Sequence, residues 1–109
     1  FIFANFVEFD SRFGHRRDIA GYARALEWFD QEIGQILPQL KENDLMILTA
    51  DHGNDPSWIG TDHTRERVPV LCATKPSNPL GHIGFEDVAK LVLCHLNIAH
   101  PAVEDQNAV

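Results

Sequence analysis

Cysteine is scarce in this chain: its 109 residues hold two, Cys72 and Cys94, both in apolar contexts. That excludes a disulfide scaffold and a cysteine-rich zinc finger, and it predicts buried, reduced thiols in a cytoplasmic protein. Long apolar runs are missing too. The stretch over 68–73 is typical of the longest, far short of the ~20 residues that span a bilayer. No basic segment precedes an apolar run at the start, so neither a membrane partner nor a signal peptide is expected. Positive charge is in deficit: nine Lys and Arg against sixteen Asp and Glu leave a net charge of −7. Binding nucleic acid through its phosphates needs the opposite balance, so no nucleic-acid partner is expected. Repeats and low-complexity tracts are absent. At 44% hydrophobic and 23% charged, the composition is neither disordered nor fibrous.

What is present reads as an α/β chain of single-domain size. No methionine opens it, and Phe1-Ile2-Phe3 starts inside an apolar run, so these residues are expected to be a piece of something longer. Residues 1–9, rich in Phe, Ile and Val, read as a strand buried on both faces. A polar loop follows over 10–17. Asp18 is placed to N-cap a long helix, with apolar residues at Ile19, Tyr22, Ala23, Leu26, Phe29, Ile33, Ile36 and Leu37 in steps of three and four. Pro38 marks its end. A second strand is expected over 45–50, a long polar loop over 54–67, and a third strand over 68–73 with Pro69 at its start or edge. A Pro/Gly/Asn loop over 75–84 leads to a helix over 85–96, and the polar tail from Asn97 is expected to be poorly ordered. The order β-α-β-loop-β-α predicts a small, largely parallel sheet flanked by helices. Its exposed edge invites self-association.

Ligands of open α/β sheets gather beyond the carboxyl ends of the strands. Three polar segments fall at that rim, around Asp10 and His15, around Asp51 and His52, and around His63. Taken singly, each of the five is most simply a solvated or capping residue. Together they form a mixed carboxylate and imidazole set, which suits Mn, Zn or Fe better than Ca. Five ligands exceed what one ion needs from protein. They fit a two-metal site, in which ions roughly 4 Å apart clamp a phosphate ester during in-line displacement.

The runs Phe9-Asp10-Ser11-Arg12-Phe13-Gly14-His15-Arg16-Arg17-Asp18, Leu48-Thr49-Ala50-Asp51-His52-Gly53-Asn54-Asp55-Pro56 and Gly60-Thr61-Asp62-His63-Thr64-Arg65-Glu66-Arg67-Val68-Pro69-Val70 resemble the phosphopentomutase family. That family is a manganese-dependent branch of the alkaline phosphatase superfamily. Thr-Ala-Asp-His-Gly alone would indicate the superfamily; the Gly-His-Arg-Arg and Gly-Thr-Asp-His-Thr-Arg-Glu segments, in this order, select the mutase branch over phosphoglycerate mutases and phosphodiesterases. The likeness runs from about Ile2 to Ala73 and weakens beyond. It implies that residues 1–109 are one partial domain, the C-terminal part of an alkaline-phosphatase-like core. It implies two Mn2+ per full active site, with Asp51 and His52 on one and Asp10, His15 and His63 on the other. The activity implied is interconversion of ribose 1-phosphate and ribose 5-phosphate, and of the deoxyribose pair, in nucleoside breakdown. A phosphorylated threonine carries the phosphoryl group in the family; none of Thr49, Thr61, Thr64 and Thr74 matches its position, so it and the cap domain that grips the sugar phosphate are expected outside this chain. The 109 residues alone are then expected to be inactive, with Asp10, His15 and His63 able to form a two-His-one-carboxylate site.

Other residues have plainer readings beside the functional ones. Arg16 and Arg17 suit either phosphate binding or pairing with acids near the helix start. Arg65 and Glu66 suit orienting the ligand loop from behind. Trp58, His82, His95 and His100 read as structural or solvated. The reading from another class is a stand-alone metal-binding or interaction module without mutase activity, which would need a partner over its sheet edge.

Overall fold

The computed structural model describes residues 1–73 and 79–99. Two α-helices form where the apolar periodicity places them. α1 spans Ile19–Ile36. Asp18 starts it, its Oδ1 accepting the Gly21 N–H at 2.8 Å, which satisfies one of the free donors of the first turn. Pro38 stops it, because proline has no N–H to continue the ladder, and the chain leaves through a 3-10 turn, Leu37–Gln39. α2 spans Phe85–His95. There the Asp87 carboxylate accepts the Gly84 N–H at 2.8 Å and the Lys90 ammonium at 2.7 Å. The Lys90 bond first, and the Gly84 bond second, hold the Asp87 carboxyl below the usual carboxylate value.

Two strands pair, β1 (Met46–Thr49) and β2 (Val70–Ala73). Pro69 lies just before β2, where its missing N–H costs no ladder bond. The sheet corrects the sequence reading. The two strands run antiparallel rather than parallel. A parallel pair needs a crossover, usually a helix, and the 50–69 connection contains none. Instead it folds back on itself through an antiparallel bridge between Gly53 and Thr64, with the Thr64 N–H donating to the Gly53 carbonyl at 3.2 Å.

A second correction concerns residues 1–9, which form no strand. Residues 1–6 are irregular and exposed, and a π-helical turn, Phe9–Gly14, begins where strand was expected to give way to loop. A strand needs a neighbour for its N–H and C=O groups, and among the described residues no strand pairs with this segment. Apolar character alone therefore sets burial demand and not backbone form.

The chain divides into two compact units. One comprises Phe1–Leu40 with Leu48–Leu71; the other comprises residues 41–47 with the described residues from 72 onward. In the first, α1 packs chiefly on the π-helical turn and on the 3-10 turn. Its apolar content is an aromatic cluster in edge-to-face contact: Phe29 meets Phe6 at 5.1 Å and Phe9 at 5.7 Å, and Phe9 meets Tyr22 at 5.9 Å. Among the described residues no hydrophobic side chain is fully buried. The predicted stripe of α1 is half open, with Ile19, Leu26 and Ile36 exposed. Cys72 is half-buried and Cys94 is exposed, which corrects the expectation of two buried thiols. No helix among the described residues is long and apolar enough to cross a membrane. The expected loop at 75–84 falls in part, and His100 and nearly all of the tail fall entirely, outside the described residues.

Candidate metal centre

The π-helical turn carries Asp10 and ends at His15. The Gly14 within it is buried because Asn54 presses against it: a Cβ there would lie 2.4 Å from Asn54 Nδ2. This close approach ties the turn to the polar connection that follows β1. His63 enters from the far side of the same connection, next to the bridge residue Thr64.

The donor atoms converge. Asp10 Oδ2 lies 3.1 Å from His15 Nε2, Asp10 Oδ1 lies 3.4 Å from His63 Nε2, and the two Nε2 atoms are 3.1 Å apart. His52 joins them, its ring stacked on His63 at 3.7 Å between centroids. One ligand atom each from Asp10, His52 and His63 falls within a common 4.8 Å. Asp51 stands aside, 84% exposed, with Oδ1 3.8 Å from His52 Nε2. Four of the five sequence-predicted residues thus form one cluster, and Asp51 touches it only through His52.

Two imidazoles are held in a defined tautomer. The His15 Nδ1–H donates to the Thr61 carbonyl, and the His52 Nδ1–H donates to the Gly53 carbonyl at 3.2 Å. In the neutral imidazole that bond leaves Nε2 as the lone pair, which is how protein prepares imidazole as a ligand, and the Nε2 of His15 lies against Asp10 and His63. Asp10 is prepared from the other side. Burial alone would raise its pKa. The Asn54 amide, donating at 2.6 Å, and the nearby His15, His63 and His52 outweigh burial and hold the carboxyl below its ordinary value. Donor atoms bound to one first-row ion at about 2.0–2.2 Å lie roughly 3–3.5 Å from each other. The separations here are of that size, with one Asp10 oxygen toward each imidazole, so Asp10, His15 and His63 fit a single divalent cation.

Arg17 spends its guanidinium on the connection after β1. Its Nη1 donates to Asn54 Oδ1 and to the Asp55 carbonyl, both at 2.7 Å, its Nη2 to the Asp62 carbonyl at 2.6 Å, and its Nε to the Gly60 carbonyl. Arg16 and Arg65 are exposed. The Glu66 carboxylate accepts the Thr64 hydroxyl, whose oxygen in turn takes the Asp55 N–H at 2.5 Å. Ser57 donates twice to Asp55 Oδ1, and these bonds together with Arg17 hold the Asp55 carboxyl low. Trp58 is exposed, as a surface residue would be. A shallow cleft beside His52, lined also by Tyr22, Asn54, Glu66 and Arg67, adjoins the cluster. Burial, and then the charge of Asp10, raise the Tyr22 phenol above its usual value.

Sequence reasoning missed Asn54 and Thr61. Asn54 follows Asp51-His52-Gly53 directly, and a side chain with both a donor and an acceptor at that place is the signal that could have marked it. Thr61 acts through its backbone carbonyl, which no residue type announces.

Comparison with known proteins agrees with this geometry. The model of the metalloenzyme superfamily matches residues 1–100. The phosphopentomutase of Shewanella loihica is 70% identical over 101 residues, covering 89% of this chain and 25% of that protein. That of Photobacterium profundum is 58% identical over 93 residues (82% and 23%), and that of a Methylobacterium species, strain 4-46, is 52% identical over 105 residues (93% and 26%). The chain spans about a quarter of the length of these relatives. It belongs to the metalloenzyme superfamily and, within it, resembles phosphopentomutases over most of its length.

Proposed function

We propose that these residues are the metal-binding segment of a phosphopentomutase, acting in the cytoplasm on ribose and deoxyribose phosphates. One observation carries the reading: the Asp10 carboxylate and the Nε2 atoms of His15 and His63 lie 3.1–3.4 Å from one another, in a chain 70% identical over 101 residues to a named phosphopentomutase.

Asp10, His15 and His63 hold one Mn2+, and His52 with Asp51 lies beside them to serve a second. Bound there, manganese supplies charge neutralisation for a transferring phosphoryl group. The chain's own residues do the rest by position. The Thr61 and Gly53 carbonyls keep the His15 and His52 protons on Nδ1, so that Nε2 stays a lone pair. Asn54 keeps Asp10 ionised and fixed in rotation. Thr64, engaged with Asp55 and Glu66, holds the ligand loop in shape and is not free to accept phosphate. The resemblance to phosphopentomutases assigns phosphoryl carriage to a threonine outside these 109 residues and the grip on the sugar phosphate to other parts of the parent polypeptide. The edge of the two-stranded sheet is covered by that polypeptide, which makes self-association of the short chain the alternative when it is alone.

The test is turnover by the native polypeptide that carries these residues, assayed with Mn2+ against pentose 1-phosphates and phosphoglycerate. Interconversion of the pentose phosphates, with none by the 109 residues alone, is expected. Turnover of phosphoglycerate and not of pentose phosphates would reject the assignment.

A further inference from the structure

We propose that Arg17 and Asn54 form a clasp that positions the donor atoms of this cluster, Arg17 by fixing the loop that delivers His63 and the Thr61 carbonyl, Asn54 by orienting Asp10. The inference rests on the metal-binding reading only for its consequence for manganese; the ordering itself concerns the protein alone.

The contacts form one continuous path. A single guanidinium spends four N–H bonds on residues 54 to 62, three of them on the backbone carbonyls of Asp55, Gly60 and Asp62. The planar fork suits several fixed acceptors at once, and lysine's point charge does not. The fourth bond enters Asn54 Oδ1, and Asn54 Nδ2 passes the contact on to Asp10 Oδ1 at 2.6 Å. Because the amide donates at one end and accepts at the other, Arg17 also fixes which way Asn54 faces. Its reversal would set two oxygens, those of Asn54 and Asp10, against each other.

Two backbone features make the clasp specific. Arg17 sits at φ +54°, a left-handed conformation that a long side chain rarely adopts and that persists only where surroundings enforce it. This turn sends its side chain to the loop while Asp18, the next residue, caps α1. Gly14 supplies the space for Asn54, since an alanine methyl would collide with the amide at 2.4 Å from Nδ2 and 2.8 Å from Cγ. The loop held by Arg17 includes Thr61, whose carbonyl sets the His15 tautomer, and leads directly into His63. Arg17 is thereby a positioning residue for both imidazoles, and Asn54 for the carboxylate.

The test compares wild type with Arg17→Lys, Arg17→Met and Asn54→Ala in the native polypeptide carrying these residues. Two readouts are taken: the nitrogen-15 shifts of the His15 ring without metal, and Mn2+ affinity by electron paramagnetic resonance. Wild type is expected to show the Nδ1–H tautomer of His15. Both Arg17 variants are expected to mix the tautomers and weaken Mn2+ about 10- to 100-fold, the range for an outer partner of a ligand. Asn54→Ala is expected to weaken Mn2+ similarly while leaving the His15 tautomer in place. Arg17→Lys behaving as wild type in both readouts would overturn the proposal, because charge without the fork would then suffice. Mn2+ weakened with the His15 tautomer unmoved in both Arg17 variants would overturn it as well. If wild type binds no Mn2+ but the Arg17 variants still mix the tautomers, the clasp stands and the metal reading fails. Circular dichroism at 222 nm identifies any variant that has lost its helices; Arg17→Lys, the mildest change, then decides.

Discussion

Replacing Asp10 with alanine is expected to cut Mn2+ affinity by more than about 100-fold, beyond the loss typical of outer partners. Asp10 is the one carboxylate in contact with both His15 and His63, at 3.1 and 3.4 Å. Removing it takes away the only negative charge among those three donors and leaves two imidazoles to hold a divalent ion. Asp10→Asn separates charge from shape, since it keeps the volume and an oxygen for the ion; it is expected to lose most of the affinity too. Acid provides an independent check on the sign. The folded pKa of Asp10 lies below its ordinary 3.8. What its ionised network contributes to stability is therefore complete above that value and disappears as pH falls through the lower folded one. Titration of Mn2+ into wild type and both variants, followed by paramagnetic resonance, reads all of this. Affinity within a few-fold of wild type in Asp10→Ala would remove Asp10 from the site.

The second large effect concerns folding. The 109 residues alone are expected to melt over a broad range, without the sharp transition of a small domain, and to bind a hydrophobic dye while still helical. Full burial of a large apolar side chain contributes about 1.5–3 kcal/mol, and none of the described hydrophobic residues reaches it. Phe1, Ile2, Phe3 and Ile59 are more than four-fifths exposed, and Leu26, Trp28 and Phe85 about half or more. The edge-to-face cluster of Phe6, Phe9, Tyr22 and Phe29 gives only local support. Within a polypeptide of the relatives' length the same surface has material to cover it, and a single steep transition is expected there. A steep, dye-silent transition in the 109 residues alone, with the denaturant sensitivity normal for that size, would contradict this.

Sequence and structure agree where the signal is local. α1 begins at the Asp18 cap and ends at Pro38 because capping and the missing proline N–H act within one turn. α2 follows its three- and four-residue apolar spacing from Phe85. They part where a distant partner decides. Residues 1–9 are apolar enough for a strand, yet without a neighbour their backbone groups have no ladder, and part of the segment coils into the π-helical turn that carries Asp10. Strand direction is hidden for a related reason: nothing in 46–49 or 70–73 records orientation, and the antiparallel bridge between Gly53 and Thr64 turns the connection back. In the site, the convergence of Asp10, His15, His52 and His63 was legible because carboxylate and imidazole residues recur at the ends of the polar segments. The Thr61 carbonyl was not, since any residue supplies one. Arg17 was legible only as a charge, and its bonds to the loop depend on a left-handed backbone that arginine does not advertise.

The most direct measurement is pulsed paramagnetic resonance of Mn2+ bound to the native polypeptide carrying these residues, with nitrogen-15 in its histidines. Directly bound imidazole nitrogens are expected, with a loss of coupling in His15→Gln and again in His63→Gln. A Mn2+ signal without imidazole coupling, or coupling unchanged in both variants, would contradict it.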